Sequence, residues 1–163
     1  MNEVILGVGE HRATNKPDEA LRTVGLGSCV ALILLDPRTR TVGMAHVALP
    51  DSTIDPNRAR ERPAYFADTA LSALIQSMAT CGCSAGGRGM IAKLVGGANI
   101  LDAGSTFNIG RRNILVLEEL LLRHGLGIPA EDVGGNISRS VIVEVNTGRV
   151  LITSSYRGDS WEI

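Results

Sequence analysis

Cys29 opens an apolar run, Cys29-Val30-Ala31-Leu32-Ile33-Leu34-Leu35, and His46 is the polar side chain inside the next, Val42-Gly43-Met44-Ala45-His46-Val47-Ala48-Leu49. A thiol and an imidazole in contact form the minimal unit of thiol nucleophilic catalysis. The imidazole takes the thiol proton, the thiolate attacks a carbonyl carbon, and the imidazolium then protonates the leaving group. The residues ahead of the cysteine, Thr23-Val24-Gly25-Leu26-Gly27-Ser28, suit such a site. Gly25 and Gly27 stand where the backbone must turn tightly or let a substrate approach. Backbone N–H groups in the Gly27-Ser28-Cys29 stretch, or the Ser28 hydroxyl, are candidate oxyanion donors. Thr23 offers a hydroxyl that can orient either the imidazole or the substrate.

The two apolar runs read as the strands of one β-hairpin, with Asp36-Pro37 opening the turn and Pro50-Asp51 stopping the second strand. If the loop has an even count, Asp36–Thr39 or Asp36–Thr41, paired residue numbers sum to 75 or 77. Cys29 then faces position 46 directly, or position 48 with 46 on the diagonal, and both side chains point to the same face. An odd count puts them on opposite faces, because a one-residue slip inverts every side chain. The same residues also have a plain structural reading: free cysteine is among the most buried residue types, and a strand histidine is commonly a hydrogen-bonded core member.

The elements that must position this pair follow from patterning. Cys29–Leu35 is apolar on both alternating faces, which predicts a strand covered on both sides. Val4–Val8 and Met90–Val95 read as short strands, and Val141–Val145 and Val150–Thr153 as a hairpin turning at Asn146-Thr147-Gly148. Ala67, Ala70, Leu71, Leu74, Ile75 and Met78 recur at helical spacing, in a helix whose first turn suits Pro63. A second helix carries Ile114, Leu117, Leu120 and Leu121, with His124 in its last turn and Gly125 beyond. Asp51–Arg62 and the polar stretch through Pro17, which holds His11, read as surface segments. Hairpins rather than βαβ units predict an α/β fold of mixed or antiparallel type with two helices packed on the sheets.

Composition narrows the functions. A chain of 163 residues suits one domain over 1–163, with enough surface buried to need no staples. Sixteen Lys and Arg against seventeen Asp and Glu, a net charge of −1, leaves no basic excess for phosphate neutralisation. Aromatic residues at 3% leave few stacking platforms for single strands, so nucleic acid is not an expected partner. No apolar run approaches the roughly 20 residues that span a bilayer, and no signal peptide is evident, which predicts a cytoplasmic protein without membrane insertion. Three cysteines fit free thiols in a reducing compartment. Cys81-Gly82-Cys83 falls short of the four ligands of a structural zinc site, so no metal is expected. Gly86-Gly87-Arg88-Gly89 and Gly96-Gly97-Ala98-Asn99 depart from the phosphate-loop pattern and read as turns. Arg58, Arg60, Arg62, Arg111 and Arg112 read as solvated faces or partner contacts.

The stretches Gly25–Ala31, Gly43-Met44-Ala45-His46 with Leu49-Pro50, Ala92–Ala98, Ile109–Asn113, and Asp132-Val133-Gly134-Gly135 with Arg139 together resemble the CheD family of chemoreceptor glutamine deamidases of bacterial and archaeal chemotaxis. The resemblance runs from about Thr23 to Ile152 in the family's order. It implies Cys29 as nucleophile, His46 as base and Thr23 as third member, with no cofactor. It implies a two-sheet sandwich with helices outside, like the catalytic domain of cytotoxic necrotising factor toxins. The substrates implied are glutamines on the cytoplasmic helices of methyl-accepting chemoreceptors, and a CheC-type phosphatase is an implied partner. Asn136-Ile137-Ser138 and Cys81-Gly82-Cys83 depart from the family pattern. Two alternatives use the same residues: a receptor glutamyl methylesterase, and a non-enzymatic adaptor in which Cys29 is core.

Overall fold

The computed structural model describes residues 1–100, 107–154 and 158–163. Ten strands and three α-helices follow in the order β1 (Asn2–Ile5), β2 (His11–Thr14), β3 (Glu19–Leu26), β4 (Val30–Asp36), β5 (Thr41–Val47), α1 (Pro56–Glu61), α2 (Ala67–Thr80), β6 (Ile91–Gly96), α3 (Ile109–Arg123), β7 (Ala130–Val133), β8 (Arg139–Glu144), β9 (Val150–Ser154) and β10 (Asp159–Glu162). They build two five-stranded sheets, β1-β3-β8-β9-β10 and β2-β5-β4-β6-β7. Each is mixed: β1 runs parallel to β3, and β6 parallel to β7, while the other pairs are antiparallel. The expected mixed two-sheet α/β architecture is the one the chain adopts.

The double-sided apolar pattern of β4 has a direct cause in the layering. Ala31 and Ile33 face the first sheet, packing with Leu21, Val141, Val143 and Ile152. Val30, Leu32 and Leu34 face the other way, onto Leu71, Leu74 and Met78 of α2 and Leu117 and Leu121 of α3. All five strand residues from Val30 to Leu34 are 0% exposed. Both core-packing helices therefore cover the outer face of the second sheet.

Several elements differ from the sequence expectation. Asp51–Arg62, read as loop, contains α1, whose start is set by Pro56 and by the Asp55 carboxylate accepting from Arg58 N–H at 3.1 Å. Pro63 opens a separate 3-10 turn, Pro63–Tyr65, and α2 begins only at Ala67. The first strand is Asn2–Ile5 rather than Val4–Val8. β2, β3, β7 and β10 are added strands. β2, β7 and β10 are four-residue strands at sheet edges, which leaves room for charged residues. β3 is interior and mostly buried, and Glu19 and Arg22 in its sequence are ion-paired. His11, expected to be solvated, is half-buried in β2, and burial lowers its pKa.

The N-terminus of α3 meets the Gly96-Gly97-Ala98 loop with no room for a side chain. A Cβ on Gly110 would lie 2.5 Å from the Gly97 carbonyl oxygen and 2.6 Å from that of Ala98. Both obstacles are backbone, so the helix must shift. Gly110→Ala is expected to destabilise the fold by about 2–3 kcal/mol. Thermal unfolding should read this as a midpoint lowered by roughly 5–10 °C.

Candidate active site

The site lies where the two sheets meet at one end. The β4–β5 hairpin pairs Ala31 with His46 and Asp36 with Thr41, so the even-count register holds, with paired numbers summing to 77. Continuing that register backwards sets Cys29, one residue before β4, opposite Ala48, with His46 on the diagonal. Both side chains share the face that looks towards the first sheet, Cys29 packing with its core residues and His46 meeting Thr23. Cys29 packs at the margin of the inter-sheet core and is half-buried.

Thr23 comes to this face from the opposite sheet, on β3. Its side chain is fully buried, and its Oγ1 lies 2.6 Å from His46 Nδ1 and 2.8 Å from the Leu6 carbonyl oxygen. A carbonyl only accepts, so the single threonine hydroxyl proton goes to Leu6. Thr23 Oγ1 must then accept from the imidazole, which puts the ring proton on Nδ1. His46 Nε2 is left as a buried lone pair with no partner among the described residues. This assignment follows from the hydrogen-bond network, as tautomers generally must. The backbone of His46 is tied to the β2 side, its N–H donating to the Glu10 carbonyl at 3.0 Å and its carbonyl accepting from Gly9 N–H at 2.9 Å.

Electrostatics keep both groups neutral. Burial pushes the Cys29 thiol above its ordinary value. Burial also lowers the His46 pKa below 6.5, opposed by the nearby Glu10 carboxylate. No hydrogen bond joins Cys29 to His46 among the described residues. Both pKa directions favour the uncharged forms, a thiol and a neutral imidazole.

The Cys29 loop is gripped through three successive carbonyls. Gly27 accepts from Ala98 N–H at 2.8 Å, Cys29 accepts from Gly97 N–H at 2.8 Å, and Ser28 accepts from the Asn113 side chain at 3.1 Å. A trans peptide points its N–H opposite to its carbonyl, so the Ser28 and Cys29 N–H groups are aimed away from these anchors. Neither donates to a backbone carbonyl among the described residues, whereas the Gly27 N–H is engaged by Gly25. Gly25 has a φ of +69, the turn the sequence suggested. Ser28 itself is exposed at the rim. The glycine pair at 96–97, read from sequence as a turn, is here a contact: a Cβ on Gly96 would lie 2.3 Å from the Cys29 carbonyl oxygen.

Sequence reasoning missed Glu10 and Asn113. Glu10 carries no local signal. Asn113 had one, being the polar residue on the buried stripe of α3 between Gly110 and Leu117. His124 and Cys81 sit as helix-end residues, the former with Nδ1 3.0 Å from the Leu120 carbonyl. No group of three or more potential metal ligands is found among the described residues, and no described helix is long and apolar enough to cross a membrane.

A two-sheet α/β fold with a thiol and an anchored imidazole at the sheet junction defines the class of protein at hand. Residues 48–154 match the family model described as CheD chemotactic sensory transduction. A protein of Syntrophotalea carbinolica named "Probable chemoreceptor glutamine deamidase CheD" is 42% identical over 163 residues, covering 100% of both chains. The Thermotoga maritima protein named "Chemoreceptor glutamine deamidase CheD" is 35% identical, covering 98% of this chain and 96% of its own. Among solved structures, the Bacillus licheniformis hypothetical protein YfiH aligns with a TM-score of 0.48 and 12% identity, over 76% of this chain and 49% of that one. The chain belongs to the CheD family.

The neutral, Nδ1-protonated imidazole can be checked directly. Nitrogen NMR at neutral pH should show His46 with its proton on Nδ1, titrating with a midpoint below 6.5. The sign for stability follows from that direction. The unfolded chain protonates this histidine before the folded one does, so its contribution is complete above pH 6.5 and is lost as pH falls through the folded value. Thr23→Val should remove the tautomer preference while leaving the ring buried.

Proposed function

We propose that this protein hydrolyses the side-chain carboxamide of selected glutamines on the cytoplasmic helices of methyl-accepting chemoreceptors, producing glutamate and ammonia. The observation that carries the chemistry is the imidazole held by Thr23 with a free Nε2 lone pair on the face it shares with Cys29. Family membership, with relatives named as chemoreceptor glutamine deamidases, supports the substrate. It also supports a cytoplasmic site of action and a CheC-type phosphatase as a second protein partner.

Cys29 is the nucleophile and His46 the base. His46 Nε2 takes the thiol proton as sulfur attacks the carboxamide carbon, and the amide oxygen gains the negative charge. The Ser28 and Cys29 N–H groups stabilise that oxyanion, with Gly27 leaving the approach open. The imidazolium gives its proton to nitrogen, the C–N bond breaks, ammonia leaves and a thioester remains. Water then loses a proton to Nε2 and attacks the thioester carbon. The C–S bond breaks, and the sulfur recovers the proton from the imidazolium. Thr23 keeps the ring in the tautomer this cycle needs, and Glu10 favours the transient imidazolium. No step calls on a metal or an organic cofactor.

Both neutral partners must be charged during attack, and an amide is a poor electrophile, so positioning has to supply much of the rate. Effective molarity can remove roughly 7–11 kcal/mol of barrier when the substrate is held in line. A receptor helix lying across the site can provide that hold, whereas free glutamine cannot.

Mass spectrometry of a receptor cytoplasmic fragment should show glutamine-to-glutamate conversion with the wild-type protein. Cys29→Ala should lower the rate at least about 10³-fold while the domain stays folded. Thr23→Val should lower kcat by about 10²-fold, less than the roughly 10⁴-fold that follows loss of a charged orienting group. The acid limb of kcat/KM should lie below pH 6.5, where His46 gains its proton. Methanol release from receptor methyl esters in place of ammonia release would assign the site to ester cleavage. Full turnover by Cys29→Ala would remove the nucleophile from the scheme.

A further inference from the structure

We infer that Asn113 is a positioning residue for this reaction, whose carboxamide sets the separation and orientation of the Cys29 loop and the His46 strand. The inference rests on the hydrolase reading above, and concerns a residue that touches neither sulfur nor imidazole. Asn113 stands one turn into α3 and is 0% exposed. Its Nδ2 donates to the Ser28 carbonyl at 3.1 Å and to the Ala48 carbonyl at 3.1 Å. Ser28 precedes the nucleophile, and Ala48 lies two positions beyond the base. One side chain therefore spans the two strand ends on which the dyad depends.

Asparagine suits this place for a chemical reason. Its amide nitrogen carries two diverging protons on a short stem, and both are used. Aspartate would offer none and serine one. The reversed amide would set its oxygen against two carbonyl oxygens, so the two acceptors determine which way the group points. Its Oδ1 is buried and without a partner among the described residues. A buried acceptor left unpaired is a cost, and here it accompanies two donors spent entirely on the site backbone.

The effect on chemistry runs through one peptide plane. The Ser28 carbonyl and the Cys29 N–H belong to the same trans unit, so whatever holds the carbonyl aims the N–H. Releasing the Ser28 carbonyl would let the oxyanion donor swing and Cys29 drift from His46. The helix bearing Asn113 cannot follow, because Gly110, three residues earlier, is packed against the Gly97 and Ala98 carbonyls. A misplacement of about 1 Å in such a site can cost about 10²-fold in rate.

The test compares wild type, Asn113→Asp, Asn113→Ser and, as a packing control on the same helix, Leu117→Ala. Steady-state ammonia release from a receptor cytoplasmic fragment is measured beside thermal unfolding and the pH dependence of Cys29 alkylation by iodoacetamide. Asn113→Asp should lower kcat about 10²-fold with KM held within about threefold. Asn113→Ser, with one donor, should fall in between. Both should change the rate or pH midpoint of Cys29 alkylation, while Leu117→Ala lowers the unfolding midpoint and leaves kcat and alkylation as in wild type. Asn113 variants that keep wild-type kcat and alkylation would overturn the inference, as would a rise in KM alone. So would loss of the fold in both Asn113 variants when Leu117→Ala still folds, since the residue would then be structural. Absence of ammonia release from the wild type would instead defeat the deamidase reading, leaving Asn113 to be judged on alkylation.

Discussion

A chain of two hydrogen bonds, from His46 Nδ1 to Thr23 Oγ1 and from Thr23 to the Leu6 carbonyl, joins the two sheets at the site. Each link fixes the next. Leu6 can only accept, so the threonine hydroxyl has a single available direction, and the imidazole has a single available tautomer. With the proton on Nε2 instead, the Nδ1 lone pair would face the threonine oxygen's own lone pairs, or the hydroxyl would have to abandon the Leu6 carbonyl. The free lone pair at Nε2 is therefore a consequence of a backbone carbonyl near the N-terminus. The uncharged third member matters too. A carboxylate in place of Thr23 would raise the imidazole pKa, whereas here burial lowers it and the exposed Glu10 carboxylate only partly offsets that.

The same burial that lowers the histidine pKa raises that of the thiol, so both groups are biased towards their uncharged forms. An ion pair of thiolate and imidazolium would need a polar surround that the inter-sheet core does not offer. On the deamidase reading proposed above, this bias places the weight of catalysis on the oxyanion donors and on substrate placement, so the rigidity of the Cys29 loop would matter to the rate as well as to the fold.

Much of the site's skeleton was legible in the sequence, and the reason is the strength of one hairpin. Cys29–Leu35 is apolar on both faces because β4 lies between a sheet and two helices, so its strand character does not depend on alternation. The parity of the turn, which the sequence left open between even and odd counts, is even in the fold and sets Cys29 and His46 on one face. Thr23 was legible as a hydroxyl near Cys29, but its contact with His46 joins strands of different sheets, and no periodicity encodes how two sheets stack. β2 and β3 were obscured by Arg12, Glu19 and Arg22: Arg12 pairs with the buried Glu19 between the two sheets, and Arg22 pairs with Glu3 on the neighbouring β1. α1 was hidden by its length, since six residues carry no stripe. Asn113 was visible as an interruption in the α3 stripe, yet a buried amide has no meaning until its acceptors are known.

The remaining family-like stretches acquire a common purpose once they are placed around Cys29. Gly97 and Ala98 hold the Cys29 and Gly27 carbonyls, and Asn113 holds that of Ser28. Behind them, Arg139 is 5% exposed, its Nε on the Asp132 carboxylate at 3.0 Å and its Nη1 on the Gly134 carbonyl at 2.9 Å. Gly134 N–H in turn donates to the Gly96 carbonyl at 2.9 Å, and Asn99 N–H to that of Gly135. Each layer thus fixes the layer in front of it, ending at the backbone around the sulfur. Glycine is required where two backbones touch, and here that contact is the Gly96 Cα against the Cys29 carbonyl. Such a frame leaves few side chains in the site itself, because most of its residues act through backbone groups. On the proposed reading, the chemistry would be confined to one thiol and one imidazole, with the fold supplying the donors and the geometry.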